Sequence, residues 1–67
     1  MAVKINFNGE EKTVSGSTVS ELLSEFKLTQ SKIAVELNNI IVSRSDYGAT
    51  SLNEGDEIEV VTFVGGG

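Results

Sequence analysis

The sequence predicts an α+β domain in which one main helix packs on one face of a mixed sheet of four to five strands. Three observations predict it. The chain opens on strict polar–apolar alternation, Val3, Ile5 and Phe7 against Lys4, Asn6 and Asn8. Apolar residues then recur once at helical spacing, Val19, Leu22, Leu23 and Phe26. Short apolar runs bounded by Asn and Gly fill the rest. With 67 residues there is room for one core between two layers. The chain has no Cys and no Pro, so no disulfide staples that core. A core of this size supplies roughly 3–5 kcal/mol.

Asn8-Gly9 ends the first strand with residues that tolerate positive φ, the mark of a tight hairpin. The return strand is expected over about Glu11 to Ser15, with Val14 on the core side. Gly16 and Ser17 break the alternation. Thr18-Val19-Ser20-Glu21 fits a capping box, in which Thr18 accepts from the Glu21 amide and the Glu21 side chain reaches back. Ser17 is a competing cap. The helix ends near Lys27, Leu28 tucks beneath it, and Thr29 to Lys32 is a polar connection.

Ile33 to Leu37 reads as a strand with Val35 and Leu37 on one face. Asn38-Asn39 marks a turn into the short apolar strand Ile40-Ile41-Val42. Ser43 to Thr50 is polar and irregular, anchored by Tyr47-Gly48, and Leu52 plugs the core. Asn53-Glu54-Gly55-Asp56 is a turn with Gly55 at positive φ. Glu57 to Val64 is the final strand. A hairpin, a helix and a following strand able to lie beside the first complete a mixed sheet.

Charge narrows the partners. Ten Asp and Glu against five Lys and Arg give a net charge of −5. The basic residues form no run, which weighs against nucleic acid and against anionic membranes. No apolar run approaches the ~18 residues of a membrane span, and the first residues lack a signal-peptide core. The expected compartment is the cytoplasm.

Composition also removes most catalytic chemistry. Without His or Cys there is no common general base, thiolate nucleophile or Cys/His metal site. Asp56, Glu57 and Glu59 are close in sequence, yet they read as a solvated acidic strand face rather than a carboxylate pair in a cleft. No Gly-rich loop lies between a strand and a helix. Tyr47 reads as a loop anchor.

One reactive group remains, the carboxylate at Gly67. Gly65, Gly66 and Gly67 follow an apolar strand and extended would reach roughly 10 Å. They carry no side chains and would fit a channel too narrow for other residues. Glycine costs the most entropy to order, so a flexible tail is expected until a partner holds it. A free α-carboxylate is ionised at neutral pH and is a poor electrophile until another enzyme activates it. In the strand before the tail, Ile58 and Val60 face the core and Glu57, Glu59, Val61 and Phe63 face away. Val61 and Phe63 beside acidic residues would form a docking patch.

These residues carry a resemblance. The opening strand with Asn8-Gly9, Thr18-Val19-Ser20-Glu21-Leu22-Leu23, Ile33-Ala34-Val35-Glu36-Leu37-Asn38, Ile41-Val42, Leu52-Asn53-Glu54-Gly55-Asp56-Glu57-Ile58-Glu59 and Phe63-Val64-Gly65-Gly66-Gly67 together resemble the ThiS family. Its members are ubiquitin-like β-grasp sulfur carriers of thiamine biosynthesis. The resemblance implies a β-grasp domain over residues 1–64 and a Gly tail over 65–67. It implies that a ThiF-type adenylyltransferase uses ATP and magnesium to adenylate Gly67, that a sulfur donor such as a cysteine desulfurase system makes the thiocarboxylate, and that the thiazole synthase ThiG takes the sulfur. Val61, Phe63, Val64, Gly65 and Gly66 would contact these partners. The chain would be a protein-borne substrate, not an enzyme, and would bind no cofactor itself. The minimal family ending has two glycines, which leaves Gly66 and Gly67 both open as the natural terminus. Two alternatives share the tail chemistry: a small subunit of molybdopterin synthase and a ubiquitin-like protein modifier.

Overall fold

The computed structural model describes residues 2–28 and 32–62. Strands β1 (Val3–Phe7) and β2 (Glu10–Val14) form an antiparallel hairpin with Phe7 opposite Glu10. Asn8 and Gly9 close it with φ of 50° and 85°, the left-handed region a two-residue hairpin turn requires. The return strand therefore starts one residue earlier than expected, because a two-residue turn leaves Glu10 already paired. On β2 Val14 alone is buried; Glu10, Glu11, Lys12 and Thr13 face solvent.

Helix α1 (Val19–Glu25) begins as its sequence directs. Thr18 is the cap, and its Oγ1 accepts from the Glu21 amide at 3.2 Å. The Glu21 carboxylate reaches one residue further back than a capping box predicts. It accepts from the Ser17 N–H at 2.6 Å and the Ser17 hydroxyl at 2.9 Å, because Ser17 offers two donors. Gly16 makes room for this turn: a Cβ there would lie 2.8 Å from the Glu21 Cβ. Glu25 accepts from the Ser15 and Gly16 amides and so ties the last turn of the helix to the loop before it. The helix stops at Phe26, sooner than expected. Lys27 turns left-handed at φ 59° and the Leu28 amide returns to the Leu23 carbonyl at 2.8 Å. Leu28 packs against the core, as the sequence suggests.

Strands β3 (Ile33–Leu37) and β4 (Ile40–Val42) pair antiparallel through Asn38 and Asn39, both at positive φ. Arg44–Ala49, expected to be irregular, forms a 310 helix that buries Tyr47. Leu52 is buried and Gly55 turns at φ 86°, both as expected. Strand β5 (Glu57–Thr62) closes the sheet in the order β2-β1-β5-β3-β4, parallel to β1 and antiparallel to β3. The strand beside β1 is thus the last one, not the strand that follows the helix. A parallel neighbour needs a crossover, and the helix, β3, β4 and the 310 helix all lie within it.

The core sits between α1 and one face of this sheet. Val19, Leu22 and Leu23 of the helix meet Ile5, Val35 and Ile58 of the strands, all essentially fully buried. Each such side chain contributes roughly 1.5–3 kcal/mol by leaving water. Phe7 and Phe26 meet at the margin, ring centroids 4.8 Å apart. The other face of the sheet carries no covering element among the described residues.

Candidate functional site

The site is built on β5, because that strand leads to the C-terminal glycines. Its alternation holds from Glu57 to Val61, with Ile58 and Val60 buried and Glu57, Glu59 and Val61 exposed, and Thr62 is exposed as well. Period two places Glu57, Glu59 and Val61 on the open face, as the sequence predicts. Val61 is 60% exposed, unusual for a Val in a central strand. Phe63, Val64, Gly65, Gly66 and Gly67 lie outside the described residues, as does the expected boundary between domain and tail.

Register brings further residues onto this face. Val61 stands opposite Ala34, and Glu59 stands opposite Glu36, which itself faces Ile41 on β4. Asn6 pairs with Glu57. A shallow recess of about 210 Å³ lies between these strands, with Glu36, Glu57, Glu59, Asn6 and Asn39 among its walls. The open face is therefore an acidic band beside exposed aliphatic side chains.

Three features escaped the sequence reading. Ile40 and Ile41 are 70% and 73% exposed, which their reading as a short apolar strand did not address. Of this three-residue edge strand Val42 packs against the core while Ile40 and Ile41 do not, and its brevity was the available signal. Asp56, grouped with the solvated acids, is 9% exposed. Its Oδ1 accepts from the Asn38 side chain at 3.0 Å and its Oδ2 from the Asn53 amide at 2.7 Å. Asn38 in turn exchanges hydrogen bonds with the Glu57 backbone, accepting from its N–H at 2.9 Å and donating to its carbonyl at 2.7 Å. The Asn53-to-Asp56 spacing of a turn was the signal for that carboxylate. Asn8, beyond closing its turn, pairs through its side chain with the Val60 backbone.

Among the described residues no group of three or more Asp and Glu is placed to hold a metal ion. Glu21 is held below the ordinary glutamate value of 4.5 by the Ser17 amide and then the Ser17 hydroxyl, but it serves the helix cap, not the open face. Among the described residues no helix is long and apolar enough to cross a membrane.

The sequence from residue 5 to residue 67 matches the profile of the ThiS family. This chain belongs to the ThiS family. The match spans the β-grasp sheet and runs through the terminal glycines. The crystal structure of the thiamine biosynthesis protein ThiS from Geobacter metallireducens superposes with a TM-score of 0.82 at 38% identity, covering 97% of this chain and 100% of that one. The sulfur carrier protein ThiS of Bacillus subtilis is 38% identical over 50 residues, 75% of this chain and 76% of the relative. A thiazole synthase of Paramagnetospirillum magneticum is 46% identical over 66 residues, which is 97% of this chain but 20% of the relative. This ThiS-family chain thus spans about a fifth of the length of the thiazole synthases it matches.

Proposed function

We propose that this chain is a sulfur carrier for thiazole formation in thiamine biosynthesis, with the carboxylate of Gly67 as its covalent site. The observation that carries the reading is the ThiS family match, which extends through Gly65, Gly66 and Gly67. The composition agrees: with no Cys and no His, the terminal carboxylate is the group best suited to group transfer.

A ThiF-type adenylyltransferase would present ATP and magnesium. The Gly67 carboxylate attacks the α-phosphorus, pyrophosphate leaves, and an acyl adenylate results. With sulfide as the simplest donor, HS⁻ attacks the acyl carbon, the acyl C–O bond breaks, AMP leaves carrying one original carboxylate oxygen, and loss of the S–H proton to solvent gives the thiocarboxylate. A cysteine desulfurase system is the proposed physiological source of that sulfur. The thiocarboxylate then gives its sulfur to a thiazole synthase of the ThiG type. Two relatives that contain a ThiS-like stretch and are named thiazole synthase support that partner. Gly65 and Gly66 thread into the partner sites, while Val61, Phe63 and Val64 dock beside them. The chain acts as a protein-borne substrate and performs no acid–base step.

The test is intact-mass spectrometry after incubation with an adenylyltransferase of this type, ATP, magnesium and sodium sulfide. The expected result is exchange of one oxygen for sulfur at the C-terminal residue. An unmodified mass, under conditions that convert a control carrier, overturns the proposal.

A further inference from the structure

The β1–β5 ladder has a rung that no backbone group supplies. Asn6 donates its amide to the Asp56 carbonyl at 2.9 Å, and Asn8 donates to the Ile58 carbonyl at 2.8 Å. A straight β1 would continue with a peptide group opposite Val60, but the chain has already turned at Gly9. The Asn8 side chain takes that place. Its Oδ1 accepts from the Val60 amide at 2.8 Å and its Nδ2 donates to the Val60 carbonyl at 3.3 Å. A primary carboxamide carries the same donor and acceptor as a peptide group, so the substitution is chemically complete. Asn also tolerates the φ of 50° that aims the side chain there.

This rung sits at a particular place on β5. Val60 is held by Asn8 on one side and stands opposite Val35 on the other. The next residues, Val61 and Thr62, are in register with Ala34 and Ile33 on the β3 side. Among the described residues two-sided bracing of β5 therefore ends at Val60, and Val61 and Thr62, the last described residues before the glycines, are paired on the β3 side alone. We propose that Asn8 is a positioning residue for the reaction at the C-terminal carboxylate, fixing the direction in which β5 delivers that segment to the activating enzyme. The proposal rests on the sulfur-carrier reading. Asn8 acts through Val60 and touches no reacting atom.

The variant Asn8→Gly keeps the turn, since Gly adopts positive φ freely, and removes both side-chain bonds. The control Thr18→Ala removes a helix cap on the other layer and lowers stability without touching the rung. Two readouts follow: amide hydrogen exchange of Val60 and Val61, and steady-state kinetics of adenylation with the carrier as varied substrate. Asn8→Gly is expected to speed exchange at both amides by about tenfold or more relative to the control. Its kcat for adenylation is expected to fall by about tenfold, because misplacement of a reacting group slows the step, while KM stays within about twofold. A kcat equal to that of Thr18→Ala, or a change confined to KM, overturns the positioning role. Unchanged exchange at Val60 and Val61 overturns the brace itself. A wild-type chain that is not adenylated overturns the carrier reading, and the exchange result still decides whether Asn8 braces β5.

Discussion

Glu36 and Glu59 stand directly opposite each other across the β3–β5 ladder, on the face of the sheet that no helix covers. Like charges in that relation destabilise a strand pair by roughly 0.2–1 kcal/mol. A sheet that keeps such a pair beside exposed Val61 and Ile41 is arranged for something other than its own stability. A basic, partly apolar partner surface relieves both the repulsion and the exposure.

Glu59→Gln therefore raises stability slightly, by about 0.5 kcal/mol, and weakens association with the activating enzyme at low salt. Denaturant melts and titrations at two ionic strengths check the pair of effects. Unchanged affinity at low salt removes the acidic band from the docking surface.

Val61→Asp separates docking from folding. Because Val61 is 60% exposed, the fold loses less than about 0.5 kcal/mol, the ordinary range for a surface substitution. Affinity for the partner falls by about tenfold, as for a desolvated interface aliphatic replaced by a charge. Calorimetric titration with wild-type affinity is the contrary result.

Removal of Gly66 and Gly67 abolishes thiocarboxylate formation and leaves the thermal midpoint within about 2 °C, since glycine has no side chain to contribute to a core. Mass spectrometry and a thermal melt measure the two. A large fall in the midpoint would assign the tail a structural part instead.

Asp56→Ala strips the acceptor from the Asn38 side chain and the Asn53 amide. The expected loss is about 2 kcal/mol, in the range of hydrogen bonds to a charged group. Chemical denaturation monitors it. A loss near zero shows that water replaces the carboxylate.

Glu21 carries a pH dependence of known sign. Its carboxyl is depressed below 4.5 by hydrogen bonds from the Ser17 amide, then the Ser17 hydroxyl, with the Thr18 backbone adding less. A depressed acid stabilises the fold fully above its unfolded value. That stability is lost as pH falls through the lower folded value. Comparing thermal midpoints of the wild type and Glu21→Gln at pH 7 and pH 3 should show the gap shrinking at low pH. A constant gap would falsify the assignment.

Much of this was legible because local chemistry and global fold agree. Val3, Ile5 and Phe7 alternate, Asn8-Gly9 can do little but turn, and Thr18 precedes an apolar stripe of helical period. The family was legible from a resemblance over the whole chain, and the family match runs through Gly67. What escaped depends on neighbours distant in sequence. Whether Ile40 and Ile41 are covered depends on what lies above β4, 52 residues separate Asn8 from the Val60 backbone it holds, and Asp56 is buried by Asn38 from another hairpin. The 310 helix around Tyr47 has no helical period of its own and forms because the buried ring anchors it.

The place of β5 in the sheet has a consequence for biosynthesis. It is the last of the described strands, yet it lies in the middle of the sheet, joining β2-β1 to β3-β4. Until it inserts, the two hairpins share no ladder, and a nascent or misfolded chain has no finished sheet to offer. Val61 acquires its cross-strand neighbour Ala34 only when that closure has occurred. On the proposed function, a partner that reads Val61 would thereby test whether the chain is folded before activating it.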